Sequence, residues 1–311
     1  SPQASLRFKE VNIFSDVEII KNSNQQIEND KNAFWSKIIH NRRFAYSVEY
    51  LRHYFDNFNP SFLFIKGDGN PKFSTQTVGQ MYLWDVPFFI VGILFLFRKK
   101  IGYWWIIPLW LLVGIVPAGT ARETPHALRI ETTLPTFQIL AAFGFCQFLE
   151  GVNRFIKVIK VRRIMIVAIC LLLFANFLYF LHDYVAHYRY EFSGEWQYGY
   201  KESIEYVKSV ENNYDDIFIT NALGRPYIYY LFYAKTDPAI FRNTNIVRRD
   251  VFGFVTVEGF NKYRFVDTAS GNYNNKKNNL FLDVSKNVPS NADKLKTFTL
   301  LNGDVSLVAY E

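Results

Sequence analysis

Four long apolar runs in the middle of the chain constrain its fold more than any other feature of the sequence. A helix needs about 20 mostly apolar residues, and at least roughly 17, to cross the hydrocarbon core of a membrane. The third run is marginal by length and is softened by Gln138 and Gln147, whereas the fourth has one clearly polar side chain, Asn176, and no polar face. We therefore predict an α-helical transmembrane bundle with about four spans, at residues 81–97, 101–118, 134–149 and 164–181.

The basic residues at the ends of these runs predict the orientation of the bundle. Residues 98–100 (Arg-Lys-Lys) separate the first two runs, and residues 154–163 place five more Lys and Arg side chains between the last two. Since cytoplasmic loops carry the excess of Lys and Arg, both connections are predicted to be cytoplasmic. The predicted location is the plasma membrane, with several passes. The extracytoplasmic parts are then residues 1–80, the loop 119–133 and everything after residue 181.

Charge and cysteine usage disfavour several other classes of protein. The formal net charge is +7, but Lys and Arg cluster beside apolar runs instead of forming a basic face with interleaved aromatics, so no nucleic-acid partner is predicted. Cys146 and Cys170 both lie inside apolar runs, which argues against a disulfide framework or a structural zinc site. The remaining His, Asp and Glu residues show no metal-ligand spacing. We therefore predict no metal site and no cofactor within these residues.

The outer segment contains a predicted amphipathic helix. Aromatic and apolar residues recur at helical spacing over residues 33–58, beside Arg42, Arg43 and Arg52. Such a helix could lie on the membrane surface or pack against the protein's own outer domain, and the pattern leaves both arrangements open. The predicted regions are an outer-face segment at 1–80, a transmembrane region at 81–184 and an extracytoplasmic α/β domain at 185–311.

The last region carries the signals of a soluble α/β domain. Residues 216–220 form a predicted buried strand, Pro226 opens a helix, and Asn302-Gly303-Asp304 is a hairpin turn. At the other end, the chain begins at Ser1 without a signal peptide. We therefore expect it to be the C-terminal part of a longer protein.

The loop between the second and third runs carries the most informative residues. Thr124 is placed to cap a helix that begins at Pro125, which would bring His126 and Arg129 onto one face, three residues apart. Arg122 precedes this helix and can fold back toward the same place. Two guanidinium groups, an imidazole and a helix N-terminus suit a phosphate or diphosphate.

Carboxylates and a second loop complete the candidate site. Glu123 is a possible acid, base or supporting group in the same loop. Gly67-Asp68-Gly69-Asn70-Pro71 is either a plain tight turn or an ordered loop that brings Asp68 and Asn70 to a polar site at the membrane surface. The alternative role for both arginines is contact with lipid headgroups, with Glu123 as an ion-pair partner. No catalytic residue is identified at this stage.

Three motifs together resemble the C-terminal half of bacterial membrane glycosyltransferases with the GT-C fold, in the protein O-mannosyltransferase and aminoarabinose transferase group. The Pro-His-Ala-Leu-Arg segment is the most specific of the three, and the resemblance covers roughly residues 1–237. The motifs are Gly67-Asp68-Gly69-Asn70-Pro71, Tyr82-Leu83-Trp84-Asp85-Val86-Pro87, and Pro125-His126-Ala127-Leu128-Arg129 followed by Leu134-Pro135.

The resemblance implies a hexosyl- or pentosyltransferase that uses a polyprenyl-phosphate-linked sugar on the outer face of the membrane. Arg122, His126 and Arg129 match positions that could hold the lipid phosphate of the donor. The catalytic acidic residue, often tied to a divalent metal, is expected in an outer loop upstream of Ser1. The acceptor could be a protein, a lipid or a glycan. Phe73 stands near a position where a relative can have a His, which departs from the expected pattern.

Two other functions remain open on the sequence alone. The chain could be a transporter of a lipid phosphate, similar to a flippase, or a non-catalytic anchor that presents its soluble domain. Transport proteins usually carry ionisable groups at mid-membrane, and the apolar runs hold almost none beyond Asp85 at an edge. The anchor hypothesis leaves the cluster around His126 unexplained.

Overall fold

The computed structural model describes residue 8 and residues 10–249, 255–272 and 278–311. The chain forms two compact units, Ser1–Val185 and Ala186–Glu311. The division falls within one residue of the boundary that the sequence predicts. We describe each unit separately.

The first unit begins with short helices that have side-chain caps. Asp16 accepts a hydrogen bond from the backbone N–H of Glu18, and Asn41 accepts one from that of Phe44. The cap at Asn41 starts a new helix, so the single amphipathic helix predicted over 33–58 is in fact two helices. These opening helices are α1 (Val17–Asn29), α2 (Phe34–Ile39) and α3 (Arg42–Asp56).

Four apolar helices follow, and two of them are shorter than the runs predicted. A 3₁₀ turn at Leu83–Asp85 delays the first helix, and the second does not begin until Ile106, so each has 14 residues. These helices are α4 (Val86–Lys99), α5 (Ile106–Gly119), α6 (Thr136–Phe155) and α7 (Ile159–His182).

One helix among the described residues is long and apolar enough to cross a membrane. It comprises α7 and its continuation to Glu191, 33 residues in all, and its most apolar 18-residue window is 0% buried. A core helix of a soluble protein would be mostly buried. Length and apolar composition together therefore support one span among the described residues, and the bundle of about four spans predicted from the sequence is not shown.

Helices α4 and α6 approach each other closely at two glycines. A Cβ atom on Gly92 would overlap the carbonyl oxygen of Leu140, and one on Gly144 would overlap that of Phe88. The ring of Phe88 then packs edge-on against Phe145, with 5.1 Å between ring centroids. Because backbone meets backbone at these points, only glycine fits.

A buried apolar cluster connects these helices to the loops before and between them. Two of its members come from the short π-helical segment Ser61–Ile65, and others come from α5 and α6. This packing fixes the loops at one end of the helices. The cluster comprises Phe62, Leu63, Met81, Leu111, Ile115, Ala118, Ile130, Phe137, Leu140 and Ala141.

The second unit is built on a mixed seven-stranded sheet with the order β2-β3-β4-β1-β5-β7-β6. The central strand β1 is parallel to β4 and β5, and the other pairs are antiparallel. This confirms the α/β character predicted for the region. The strands are β1 (Asp216–Thr220), β2 (Ile246–Arg249), β3 (Val255–Phe260), β4 (Tyr263–Val266), β5 (Asn279–Asp283), β6 (Lys294–Thr299) and β7 (Val305–Tyr310).

Helices cover one face of this sheet. Tyr200 and Ile204 of one helix and Tyr230 of the next pack on Ile217 and Ile219 of β1. The opposite face carries a smaller cluster of Ala269, Phe281 and Tyr310. Successive residues of a strand therefore pack alternately into two separate cores, one on each face of the sheet. The helices are α8 (Tyr200–Val210), α9 (Pro226–Tyr233) and α10 (Pro238–Thr244).

Candidate functional site

The loop between α5 and α6 does not contain the predicted helix. The Thr124–Pro125 peptide bond is cis, and the segment forms a 3₁₀ turn at Ala127–Arg129. Thr124 does not cap it, because its hydroxyl donates to the carboxylate of Asp56 at 2.9 Å. The prediction of a helix starting at Pro125 is therefore wrong. A three-residue turn also lacks the aligned peptide dipoles that would attract an anion to a helix N-terminus.

The carboxylate of Asp68 lies beside His126, in the loop that the sequence predicts to bind a phosphate. Its Oδ2 accepts the backbone N–H of Ala127 at 2.7 Å, and its Oδ1 accepts that of Asn70 at 2.8 Å. The residue is 3% exposed. With both oxygens engaged by backbone donors, the carboxylate is suited to support the His126 loop. Asn70 holds its own turn, accepting the N–H of Lys72 at 3.0 Å.

His126 lies buried beside Asp68. Its Nδ1 is 3.6 Å from Oδ2 of Asp68 and has no hydrogen-bond partner within the described part of the chain. Its backbone N–H donates to the Asn57 side chain at 3.4 Å, and its ring lies against Phe73, with 4.7 Å between centroids. A buried ring nitrogen without a partner is costly unless something binds it.

Charge and burial together keep this imidazole neutral. Burial lowers the pKa of His126, and the nearby guanidinium of Arg129 lowers it further. The carboxylates of Asp68 and Glu123 raise the pKa, but by less than the first two effects lower it. At neutral pH the ring therefore offers one N–H donor and one acceptor nitrogen.

Arg129 curls back over the same loop. Its Nη1 donates to the backbone carbonyl of Glu123 at 2.7 Å, and its Nη2 lies 3.9 Å from the carboxylate of Glu123. The side chain of Arg129 is 20% exposed, whereas that of Glu123 is 77% exposed. The guanidinium is thus held in position while its partner carboxylate stands in solvent. The ion pair is weak enough for a stronger anion to replace it.

Arg122 is occupied elsewhere. Its backbone N–H donates to the carbonyl of Val11 at 2.8 Å, and its Nε donates to that of Asn12 at 3.1 Å. Asn12 also forms a β-bridge with Ala121. The structure therefore brings together Asp68, Glu123, His126 and Arg129, and attaches Arg122 to the segment before α1.

Asn57 and His53 hold the loop between α5 and α6 in position, and the sequence did not predict either contact. Asn57 is fully buried, accepts from the backbone of His126 and donates to the carbonyl of His53 at 2.8 Å. His53 in turn lies with its Nδ1 2.7 Å from the carbonyl oxygen of Ala121. No local pattern could reveal these contacts, since 68 and 69 residues separate the partners along the chain.

The charges around His126 make a testable prediction about its pKa. We expect the imidazole to titrate below the ordinary value of 6.5. Arg129→Gln should raise the pKa, since a cation that opposes protonation is removed, and Asp68→Asn should lower it further. Histidine Cε1–H signals followed by NMR over pH 4–8, assigned with His126→Gln, would measure both shifts. Shifts with the same sign in the two variants would contradict this electrostatic account.

In the described ranges, no group of three His, Cys, Asp or Glu residues is arranged to hold a metal ion. Comparison with known proteins adds no constraint, because no family model, no curated protein and no solved structure matches the chain.

Proposed function

We propose that this chain belongs to a membrane glycosyltransferase that passes a sugar from a polyprenyl-phosphate donor to an acceptor on the outer face of the membrane. One observation carries the proposal: a buried, neutral His126 stands beside the guanidinium of Arg129 at the end of apolar helix α5. A phosphate group needs hydrogen-bond donors and positive charge, and a polyprenyl chain needs an apolar surface next to them.

The chemistry of transfer assigns a role to each group. When the sugar departs, negative charge grows on the phosphate oxygens of the lipid, and a fixed cation stabilises that charge. Arg129 is this cation. Its guanidinium binds the phosphate through two N–H groups, after the phosphate displaces the exposed carboxylate of Glu123. His126 donates a hydrogen bond to the phosphate. Arg122 is a second cation of the same loop, and Asp68 keeps the His126 loop in position.

The position of Asp68 also limits where the phosphate can lie. Its carboxylate is engaged by the Ala127 N–H at 2.7 Å, on the Nδ1 side of His126. A phosphate close to this carboxylate would be repelled. We therefore infer that the phosphate lies on the Arg129 side of the imidazole. The catalytic base for the acceptor is not assigned to any residue of this site.

Exposed apolar surface supports a membrane location with several passes. Helix α5 exposes large apolar side chains on the side opposite its buried Leu111, Ile115 and Ala118, and α4 exposes others. Such surface is stable against lipid and not against water. We therefore retain about four spans as part of the proposal. The exposed residues are Ile90, Leu94 and Phe97 of α4, and Leu109, Trp110, Leu112, Val113 and Val116 of α5.

Helix α3 extends this surface, which favours the first of the two arrangements left open above. One side of α3 packs on α5, where the hydroxyl of Tyr54 donates to the carbonyl of Leu112 at 2.9 Å. The other side exposes Phe44, Val48, Leu51 and Phe55, a stripe with helical spacing. Flanking arginines would contact lipid headgroups, so we infer that α3 lies in the membrane surface.

Cysteine labelling tests the proposed orientation. In a chain with Cys146 and Cys170 replaced by Ser, we expect Glu123→Cys to react with a membrane-impermeant maleimide on intact cells. Lys157→Cys, in the basic connection between α6 and α7, should react only after the cells are permeabilised. Both positions have exposed side chains. Labelling in the opposite order would overturn the orientation.

Donor turnover tests the function itself. The complete natural protein would be placed in proteoliposomes with polyprenyl-phosphate-linked hexose or pentose donors and a membrane extract as the acceptor source. The proposal requires release of free polyprenyl phosphate with the sugar moved to an acceptor. Movement of intact donor between leaflets without release would favour the transporter alternative. Neither release nor movement would favour the anchor alternative.

A further inference from the structure

The second unit contains a cavity of about 480 Å³ that the proposed transfer reaction does not use. It lies beside the N-terminal ends of β1 and β4, between the end of α8, the α9–α10 connection and the β3–β4 turn. This volume falls in the range of small-ligand sites, which usually combine an apolar wall with a few convergent polar groups.

A hydrogen-bonded cluster forms the floor of the cavity. Glu211 accepts from the Lys208 ammonium at 2.6 Å and from the Tyr230 hydroxyl at 2.9 Å, and the Tyr263 hydroxyl also donates to it. Burial raises the pKa of Glu211, but these hydrogen bonds lower it by more. The carboxylate is therefore satisfied and its charge is offset by Lys208. The tyrosine oxygens line the floor as further hydrogen-bonding groups.

Lys235 and Lys262 form no ion pair with a described carboxylate, and the three lysines of the lining outnumber its two carboxylates, Glu211 and Asp237, so the cavity keeps a net positive charge. The ammonium of Lys262 donates to the backbone carbonyls of Glu211 and Tyr214, which are neutral acceptors. The ammonium of Lys235 has neither a hydrogen bond nor an ion pair to any described residue, and its backbone is left-handed, with φ at 50°.

The remaining walls suit a ring that carries hydroxyl groups. Ile240 is 46% exposed and presents an apolar surface to the cavity. The amide of Asn261 and the hydroxyl of Thr236 line the rim, and neither side chain is hydrogen-bonded to another described residue. An apolar patch with neutral donors and acceptors around it binds the C–H face and the hydroxyls of a sugar. The two lysines add a preference for negative charge.

We propose that this cavity binds an acidic saccharide, with the carboxylate or phosphate of the sugar at Lys235 and Lys262 and its ring against Ile240. The site is independent of the proposed phosphate site at His126. It would give the second unit a carbohydrate-binding role whether or not the chain transfers sugars.

The test measures binding of D-glucuronate to the 311-residue chain in lipid nanodiscs, because a sugar detergent would compete for the cavity. Titration followed by saturation-transfer NMR should give saturable binding of glucuronate. D-Glucose, which lacks the charge, and acetate, which lacks the ring, should each bind at least about tenfold more weakly, as expected for loss of a charge-assisted contact. Glucose 1-phosphate in a parallel titration distinguishes a sugar phosphate from a uronic acid as the preferred ligand.

Matched lysine variants make the test specific. Lys235→Gln should weaken glucuronate binding about tenfold with an unchanged melting temperature, because its side chain has no partner to lose. Lys201→Gln removes the same charge from an exposed position of α8 outside the cavity and should leave binding unchanged. The proposal is overturned if glucuronate shows no saturable binding, if glucose binds equally well, or if the two variants behave alike. Donor turnover at the His126 site is measured separately, so failure here leaves that proposal intact.

Discussion

Replacing Gly144 with valine is expected to force α4 and α6 apart and to destabilise the first unit strongly. A Cβ atom at position 144 would meet the carbonyl oxygen of Phe88 and come within 2.6 Å of the backbone nitrogen of Gly92. Both obstacles are backbone atoms of a helix, so neither can rotate away as a side chain could. The two helices would have to separate, which would break the apolar cluster that fixes the His126 loop.

The effect should be among the largest that a single substitution can cause in this chain. Severe overpacking against backbone costs about 4 kcal/mol or more of unfolding free energy. For a unit of this size that corresponds to a fall of roughly 8–16 °C in melting temperature. Thermal unfolding in nanodiscs, followed by tryptophan fluorescence, would measure it.

Gly151 offers a control in the same helix. No heavy atom lies within 4 Å of a Cβ atom built at Gly151. Gly151→Ala should therefore leave the melting temperature unchanged or raise it slightly, since alanine is favoured over glycine in a helix by about 1 kcal/mol. Equal melting temperatures for Gly144→Val and Gly151→Ala would contradict the close approach of the two helices.

Arg129→Gln is expected to reduce sugar transfer by about 100-fold if the proposed function is correct. A charge-assisted hydrogen bond contributes roughly 1.5–3 kcal/mol, and loss of such a bond in the transition state lowers the rate by about 10- to 150-fold. Arg129→Lys keeps the charge and loses the fork geometry, so it should recover part of the rate. Donor turnover in proteoliposomes would measure all three proteins.

Arg122 is the matched control for this prediction. Its Nε is bound to the carbonyl of Asn12 and its backbone to Val11, so Arg122→Gln should reduce turnover by less than Arg129→Gln does. Unchanged turnover in Arg129→Gln would rule out a phosphate contact by this residue. A larger loss of turnover in Arg122→Gln than in Arg129→Gln would indicate that the phosphate binds at the Arg122 end of the loop.

The sequence predicted best where structure depends on local pattern. Long apolar stretches gave the approximate positions of α4 to α7, and the alternation around 216–220 gave the central strand of the second sheet. Asn302-Gly303-Asp304 likewise marks the turn between β6 and β7, where Gly303 has a φ of +92°. In each case the determining interactions lie within a few residues along the chain.

Local pattern failed where distant partners compete for the same groups. Thr124 and Pro125 are good helix-start residues, but the Thr124 hydroxyl bonds to Asp56 and the Ala127 N–H bonds to Asp68. A buried charge-assisted bond to a carboxylate outweighs the small preference of a cap. The 3₁₀ turn at Leu83–Asp85 before α4 and the bends and turns at 102–105 before α5 similarly shortened helices whose composition alone predicted more residues.

Composition and periodicity by themselves determined that this chain has apolar helices, an α/β region and a cluster of charged residues between two apolar runs. Tertiary structure alone decided which members of that cluster meet. Contacts across 59 and 69 positions hold the His126 loop to Asp68 and Asn57, and a contact across 110 positions attaches Arg122 to Asn12. Such contacts depend on how whole helices pack, and no local sequence preference encodes that packing.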